Sequence, residues 1–105
     1  MRIVFMGTPD FSVPTLKALV EAGHDVAAVV TQPDKPKGRG KEMQMTPVKI
    51  QALEYKIPVY QPVKVRDESF VKVLREMEAD VFVVIAFGQI LPKSVLDLPR
   101  LGCVN

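Results

Sequence analysis

The chain has 105 residues, 48% of them apolar, a formal net charge of +2 and a single cysteine, Cys103. That is one domain with apolar material for a modest core, which excludes a disordered tail; one cysteine excludes an internal disulfide and a cysteine-ligated zinc. No apolar run approaches the ~20 residues of a membrane helix, and the start Met1-Arg2-Ile3-Val4-Phe5 lacks the apolar stretch and cleavage site of a signal peptide, so a cytoplasmic protein is expected.

Arg2 to Met6 reads as a short apolar strand and Gly7-Thr8-Pro9-Asp10 as a turn. A helix follows, capped by Asp10 or Ser12, with Pro14 tolerated in its first turn. Val13, Leu16, Leu19 and Val20 share one helical face, and Gly23 ends the helix. Asp25 to Thr31 is a second buried strand, completing a βαβ unit. The stretch from Gln32 to Thr46 has two prolines, two glycines, many charges and no periodicity, and predicts a long exposed loop. Thr46 then caps a helix with Pro47 at its first position; Val48, Ala52 and Leu53 form its buried stripe and Pro58 stops it. Val59-Tyr60 is a brief strand. A further helix begins near Asp67, with Phe70, Val73, Leu74 and Met77 on one face.

Val81 to Ala86 is a continuous apolar run without alternation, too short for a membrane span and rich in β-branched residues, as in a strand buried on both faces. Gly88 breaks it, Pro92 opens a short helix to about Leu98, and Cys103-Val104-Asn105 begins a fifth strand in which Cys103 reads as a small buried residue. The alternation predicts an α/β fold: a Rossmann-like, mostly parallel sheet with helices on both faces, in one domain incomplete at its C-terminal side. Ligands of open parallel sheets bind beyond the carboxyl ends of the strands, where Phe87 to Leu91 and Asn105 are expected.

Charge is concentrated in one place. From Gln32 to Lys49 there are five basic residues (Lys35, Lys37, Arg39, Lys41, Lys49) and two acidic ones (Asp34, Glu42), a net +3; with +2 for the whole chain, the remainder sums to −1. A dinucleotide site needs G-x-G-x-x-G after the first strand and an acidic residue near the end of the second. Here the turn is Gly7-Thr8-Pro9-Asp10-Phe11 and the second strand ends Thr31-Gln32, so NAD is excluded; a P-loop and the acidic cluster of a receiver domain are missing too. His24, the one histidine, lies in the Gly23-His24-Asp25 turn at the end of the strand away from the ligand edge, and reads as a turn residue.

The blocks Phe5-Met-Gly-Thr-Pro-Asp-Phe11, Thr31-Gln-Pro-Asp-Lys-Pro-Lys-Gly-Arg-Gly-Lys41, Thr46-Pro-Val-Lys49, Val59-Tyr-Gln-Pro62, Ala86-Phe-Gly-Gln-Ile-Leu-Pro92 and Gly102-Cys-Val-Asn105 together resemble the methionyl-tRNA formyltransferase family, in its order and across the whole chain. Other folate-dependent formyltransferases share the fold and the terminal asparagine, but the basic loop looks particular to the tRNA enzymes. The resemblance implies formyl transfer from 10-formyltetrahydrofolate, with no metal, to the amino group of initiator methionyl-tRNA, by an enzyme that is a monomer at full length. Asn105 matches the family's catalytic asparagine, whose amide would donate to the formyl oxygen as charge develops there. Phe87, Gly88, Gln89, Ile90 and Leu91 match the segment lining the pteridine pocket, largely through backbone groups; on residue type alone they are equally a plain loop with Ile90 and Leu91 in the core. Lys35, Lys37, Gly38, Arg39, Gly40 and Lys41 match the loop that enters the acceptor stem, Arg39 being the arginine that reads its end.

The family's histidine two residues further on, its Ser-Leu-Leu-Pro stretch, its aspartate and its C-terminal tRNA-binding domain lie past Asn105, so these 105 residues alone are expected to be inactive. Two other readings stay open: an α/β module that binds RNA or folate without chemistry, and a folate-dependent formyltransferase with another acceptor.

Overall fold

The computed structural model describes residues 1–40 and 42–105. Its centre is built from the apolar runs: β1 (Arg2–Gly7), β2 (Asp25–Val30) and β6 (Val81–Ile85), joined by the two-residue strands β5 (Val59–Tyr60) and β7 (Cys103–Val104). The sheet order is β5-β2-β1-β6-β7, and every neighbouring pair is parallel. Helices α1 (Val13–Glu21), α2 (Pro47–Glu54), α3 (Glu68–Glu76) and α4 (Lys93–Leu96) carry the crossovers, and one 3₁₀ turn (Asp10–Ser12) leads into α1.

Strand periodicity divides the core in two. Ile3 and Phe5 of β1 face Leu16 of α1 and Val48 and Ala52 of α2. Val4 and Met6 face the other way, towards Leu74 of α3, Val95 of α4 and the buried Phe82 and Phe87. Helices therefore cover both faces, and the expected α/β architecture is what forms. Strands β2 and β5 lie on one side of β1, strands β6 and β7 on the other. The order reverses at the β1–β6 pair, the switch point beyond whose carboxyl ends open parallel sheets bind their ligands.

Several local expectations are corrected. The segment after β2 is not structureless: Lys35–Lys37 (β3) and Glu42–Gln44 (β4) pair antiparallel as a small hairpin outside the main sheet. Its signal was invisible because Pro36 interrupts one strand and both strands are only three residues long, too short to establish a period. Neither Asp10 nor Ser12 caps α1 through its side chain; the Ser12 hydroxyl donates instead to the Ile85 carbonyl at 2.8 Å. Leu53 is 49% exposed, so the stripe of α2 is Val48 and Ala52 alone. On α3, Val71 and Leu74 are buried while Phe70 and Val73 pack only against the margin of the core. Strand β6 ends at Ile85, because Ala86 takes a left-handed φ of 50°. Cys103 is in a strand as expected, but it is exposed, since β7 is paired on its β6 side only.

Candidate functional site

Every strand of the main sheet points its carboxyl end at the same edge, so the residues that follow the strands meet there. The last pair of the β1–β6 register is Gly7 with Ile85, which sets Thr8 beside Phe87. The Thr8 hydroxyl donates to the Phe87 carbonyl at 2.6 Å and stands 3.4 Å from the Gln32 amide nitrogen as its acceptor. Three loops are thereby stitched together by one side chain.

Glutamines complete the stitching. Gln32, after β2, donates from Nε2 to the Gly88 carbonyl at 3.0 Å and accepts on Oε1 from Gln89 Nε2 at 2.9 Å. Gln89 also donates to the Pro62 carbonyl at 3.0 Å and accepts from the Val65 amide at 2.7 Å. Gln61, after β5, donates to the Gln32 carbonyl at 3.2 Å and to Asp34 Oδ1 at 2.7 Å. Lys49 of α2 grips both oxygens of the same Asp34 carboxylate, at 3.1 and 3.0 Å. The hydrogen bond from Gln61, and then the Lys49 ammonium, hold the Asp34 carboxyl below the ordinary aspartate range. Beneath the hairpin the hydroxyls of Thr31 and Thr46 share a 2.7 Å hydrogen bond, and Thr46 Oγ1 accepts from the Lys49 amide as the N-cap of α2.

The residues singled out in the sequence fall into three groups around this frame. In the first, Phe87 is buried and Gln89 has its amide committed inside the protein, so whatever those two offer a ligand is backbone. Gly88 turns the chain at φ 97°. Ile90 is 94% exposed, which removes it from the core, and Leu91 packs half-buried against the α3–α4 side. In the second group, Asn105 at the end of β7 shares a hollow of about 260 Å³ with Val84, Leu91, Leu96, Cys103 and Val104. Partial burial of the Cys103 thiol and the nearby Asp97 carboxylate push its pKa up, so this edge of the hollow is a neutral thiol at ordinary pH. The third group is the hairpin. Lys35 and Lys37 line a hollow of about 350 Å³ that runs from the hairpin down to Thr8, Gln32 and Thr46. Gly38, Arg39 and Gly40 form its exposed tip, with Gly38 at φ 79°. Lys41 lies outside the described residues.

The structure thus brings Asn105 to Leu91, and Lys35 and Lys37 to the β1–β2 strand ends. It does not merge those two hollows, which share no lining residue. Sequence reasoning missed the frame itself: Thr8, Gln32, Asp34, Lys49 and Gln61 were not singled out, and Gln89 was expected in the pocket lining rather than bonded to Gln32, Pro62 and Val65. Their one signal was position, since Thr8, Gln32 and Gln61 directly follow a strand or open a predicted loop. Among the described residues, no group of three or more His, Cys, Asp or Glu is close enough to hold a metal, and no helix is long and apolar enough to cross a membrane.

Known proteins resemble the chain in sequence and in fold. The methionyl-tRNA formyltransferase of Agathobacter rectalis is 65% identical over 105 residues, which is 100% of this chain and 34% of that protein. That of Clostridioides difficile is 57% identical, again over 100% of this chain and 34% of its own length. The chain spans about a third of the length of these relatives. In fold it is similar to phosphoribosylglycinamide formyltransferase from Bacillus halodurans, with a TM-score of 0.69 at 15% identity, covering 98% of this chain and 54% of that one. The family described as formyl transferase matches residues 1–105 in full, and the chain belongs to that family.

Proposed function

We propose that these residues form the front of a catalytic domain that transfers a formyl group to the amino group of initiator methionyl-tRNA, with 10-formyltetrahydrofolate as donor. The observation that carries this reading is the hollow shared by Asn105 and Leu91, in a chain 65% identical to a methionyl-tRNA formyltransferase. The hollow is lined by Val84, Leu91, Leu96, Cys103 and Val104 together with Asn105. Apolar walls with one placed donor suit a flat, heteroatom-rich ring carrying a carbonyl. The folate, when bound, supplies the activated formyl group.

The rest of the work falls to this chain. The loop from Phe87 to Leu91 presents its backbone to the donor, pinned from below by Thr8, Gln32 and Gln89. Asn105 donates its side-chain N–H to the formyl oxygen as negative charge grows there, an interaction stronger in the transition state than in the ground state. The hairpin brings Lys35, Lys37 and Arg39 to the phosphates and terminal bases of the acceptor stem; all three are exposed and make no ion pair among the described residues. In this role the enzyme serves translation initiation in the cytoplasm, as a monomer.

The test is formyl transfer to methionyl-tRNA by this chain and by a version extended to the length of its relatives. Activity is expected only in the extended protein, where Asn105→Ala should lower kcat roughly 10²–10³-fold, the usual cost of one donor to an oxyanion. Full activity of the Asn105→Ala enzyme would remove Asn105 from the catalytic machinery. Transfer to glycinamide ribonucleotide, and none to methionyl-tRNA, would instead assign a different acceptor.

A further inference from the structure

The cations of the hairpin segment are not equivalent. Lys35, Lys37 and Arg39 are exposed, whereas the Lys49 side chain is only 17% exposed and lies against Asp34, itself 27% exposed. A ribbon of two three-residue strands has little stability of its own. What fixes this one is its base. One leg leaves the sheet through Asp34, held by two bonds from Lys49 and one from Gln61. The other leg returns through Thr46, which is bonded to Thr31 and caps α2. Lys49 and Thr46 stand on the same first turn of α2, so both legs are tied to one rigid helix end.

Resting on the proposed contact between hairpin and acceptor stem, we infer that Asp34, Lys49 and Gln61 are positioning residues for the RNA substrate: they clamp the base of the hairpin to α2 and to the carboxyl end of β5, and Lys49 itself touches no phosphate. A basic residue in a basic segment would ordinarily be assigned to the RNA, and the two roles predict opposite signs. If Lys49 bound phosphate, removing Asp34 would free it and add net positive charge, and binding would tighten. If the pair is a clamp, removing either partner loosens the hairpin, and binding weakens.

The experiment measures steady-state kinetics of the extended protein with methionyl-tRNA for Asp34→Asn, Lys49→Met, the double variant, Lys49→Arg and Arg39→Ala. Asp34→Asn and Lys49→Met are each expected to raise KM for the tRNA roughly tenfold, with kcat and the KM for the folate donor within about twofold. The double variant is expected to be no worse than the poorer single one, because both remove the same contact. Lys49→Arg keeps a bidentate partner for the carboxylate and should stay near the parent. A purely structural pair would lower thermal stability without this KM split, and that result overturns the inference. So does an Asp34→Asn enzyme whose KM for tRNA falls or holds while Arg39→Ala raises it. If Arg39→Ala leaves the KM unchanged, the contact between hairpin and RNA is itself wrong and the clamp has no substrate to position.

Discussion

Gly7 ends β1 and Gly88 lies in the loop after β6, and they are glycine for different reasons. A Cβ on Gly7 would come within 2.9 Å of both the Ile85 carbonyl oxygen and a Phe5 ring carbon, with Ser12 Cβ at 3.1 Å. That is a packing limit, set by main chain that cannot move without breaking the β1–β6 pairing. Gly88 combines φ 97° with a neighbour, Gln32 Nε2, 2.7 Å from where its Cβ would stand. The obstacle there is a flexible amide, but moving it undoes the bond to the Gly88 carbonyl. Gly88→Ala is expected to cost about 1–3 kcal/mol in urea denaturation of the extended protein, and Gly7→Ala more. An unchanged midpoint for Gly7→Ala would mean that the β1–β6 approach is looser than 2.9 Å implies. The glycines were legible in the sequence as turn markers. The bonding of the glutamines was not, because the amides of Gln32, Gln61 and Gln89 resemble any surface amide until three loops from distant parts of the chain converge on them.

Among the elements, α2 and the hairpin are linked through Thr46. Its side chain caps α2 by accepting from Lys49, and it also meets the fully buried Thr31 hydroxyl. Thr46→Ala removes the cap, worth about 1 kcal/mol, and takes from Thr31 its one side-chain partner among the described residues, which adds about 1–3 kcal/mol. Thr46→Ser keeps both bonds and is expected to fall within about 0.5 kcal/mol of the parent. Equal losses for the two variants, by thermal or urea unfolding, would show that the methyl group and not the hydroxyl matters. The cap was readable from Thr46-Pro47, and α2 formed where expected. The hairpin was not readable, because strands of three residues, one of them broken by Pro36, are too short to establish a period.

For the whole molecule, two carboxylates tie the sheet together from opposite edges. Asp34 does so at the carboxyl edge. At the amino edge Asp80 accepts from the Arg2 amide at 2.8 Å and from the Arg100 side chain at 3.1 Å. The Arg2 amide first, and then Arg100, hold Asp80 below the ordinary aspartate range. Both folded-state pKa values are depressed relative to the unfolded chain. Their contribution is therefore complete above the unfolded aspartate value and is lost as the pH falls through the depressed ones. The denaturation midpoint is expected to drop between about pH 5 and pH 2, and to drop less steeply in an Asp34→Asn/Asp80→Asn variant. An identical pH profile for the two proteins would mean that neither carboxylate is linked to folding.

The sequence by itself determined the parallel α/β order and the boundaries of the five main-sheet strands to within a residue, because buried β-branched runs, helix-opening prolines and helix-ending glycines act through local backbone physics; the family was legible through resemblance. It also marked Asn105, Phe87 to Leu91 and the hairpin cations as candidates, through resemblance. Only the tertiary structure decided which polar side chains hold the loops, that the Asn105 and Leu91 side chains border one hollow, and that Lys49 is neutralised by Asp34 rather than offered to solvent. Those are juxtapositions of residues 14 to 79 positions apart in the chain, and no local pattern encodes them until the strands have aligned their carboxyl ends.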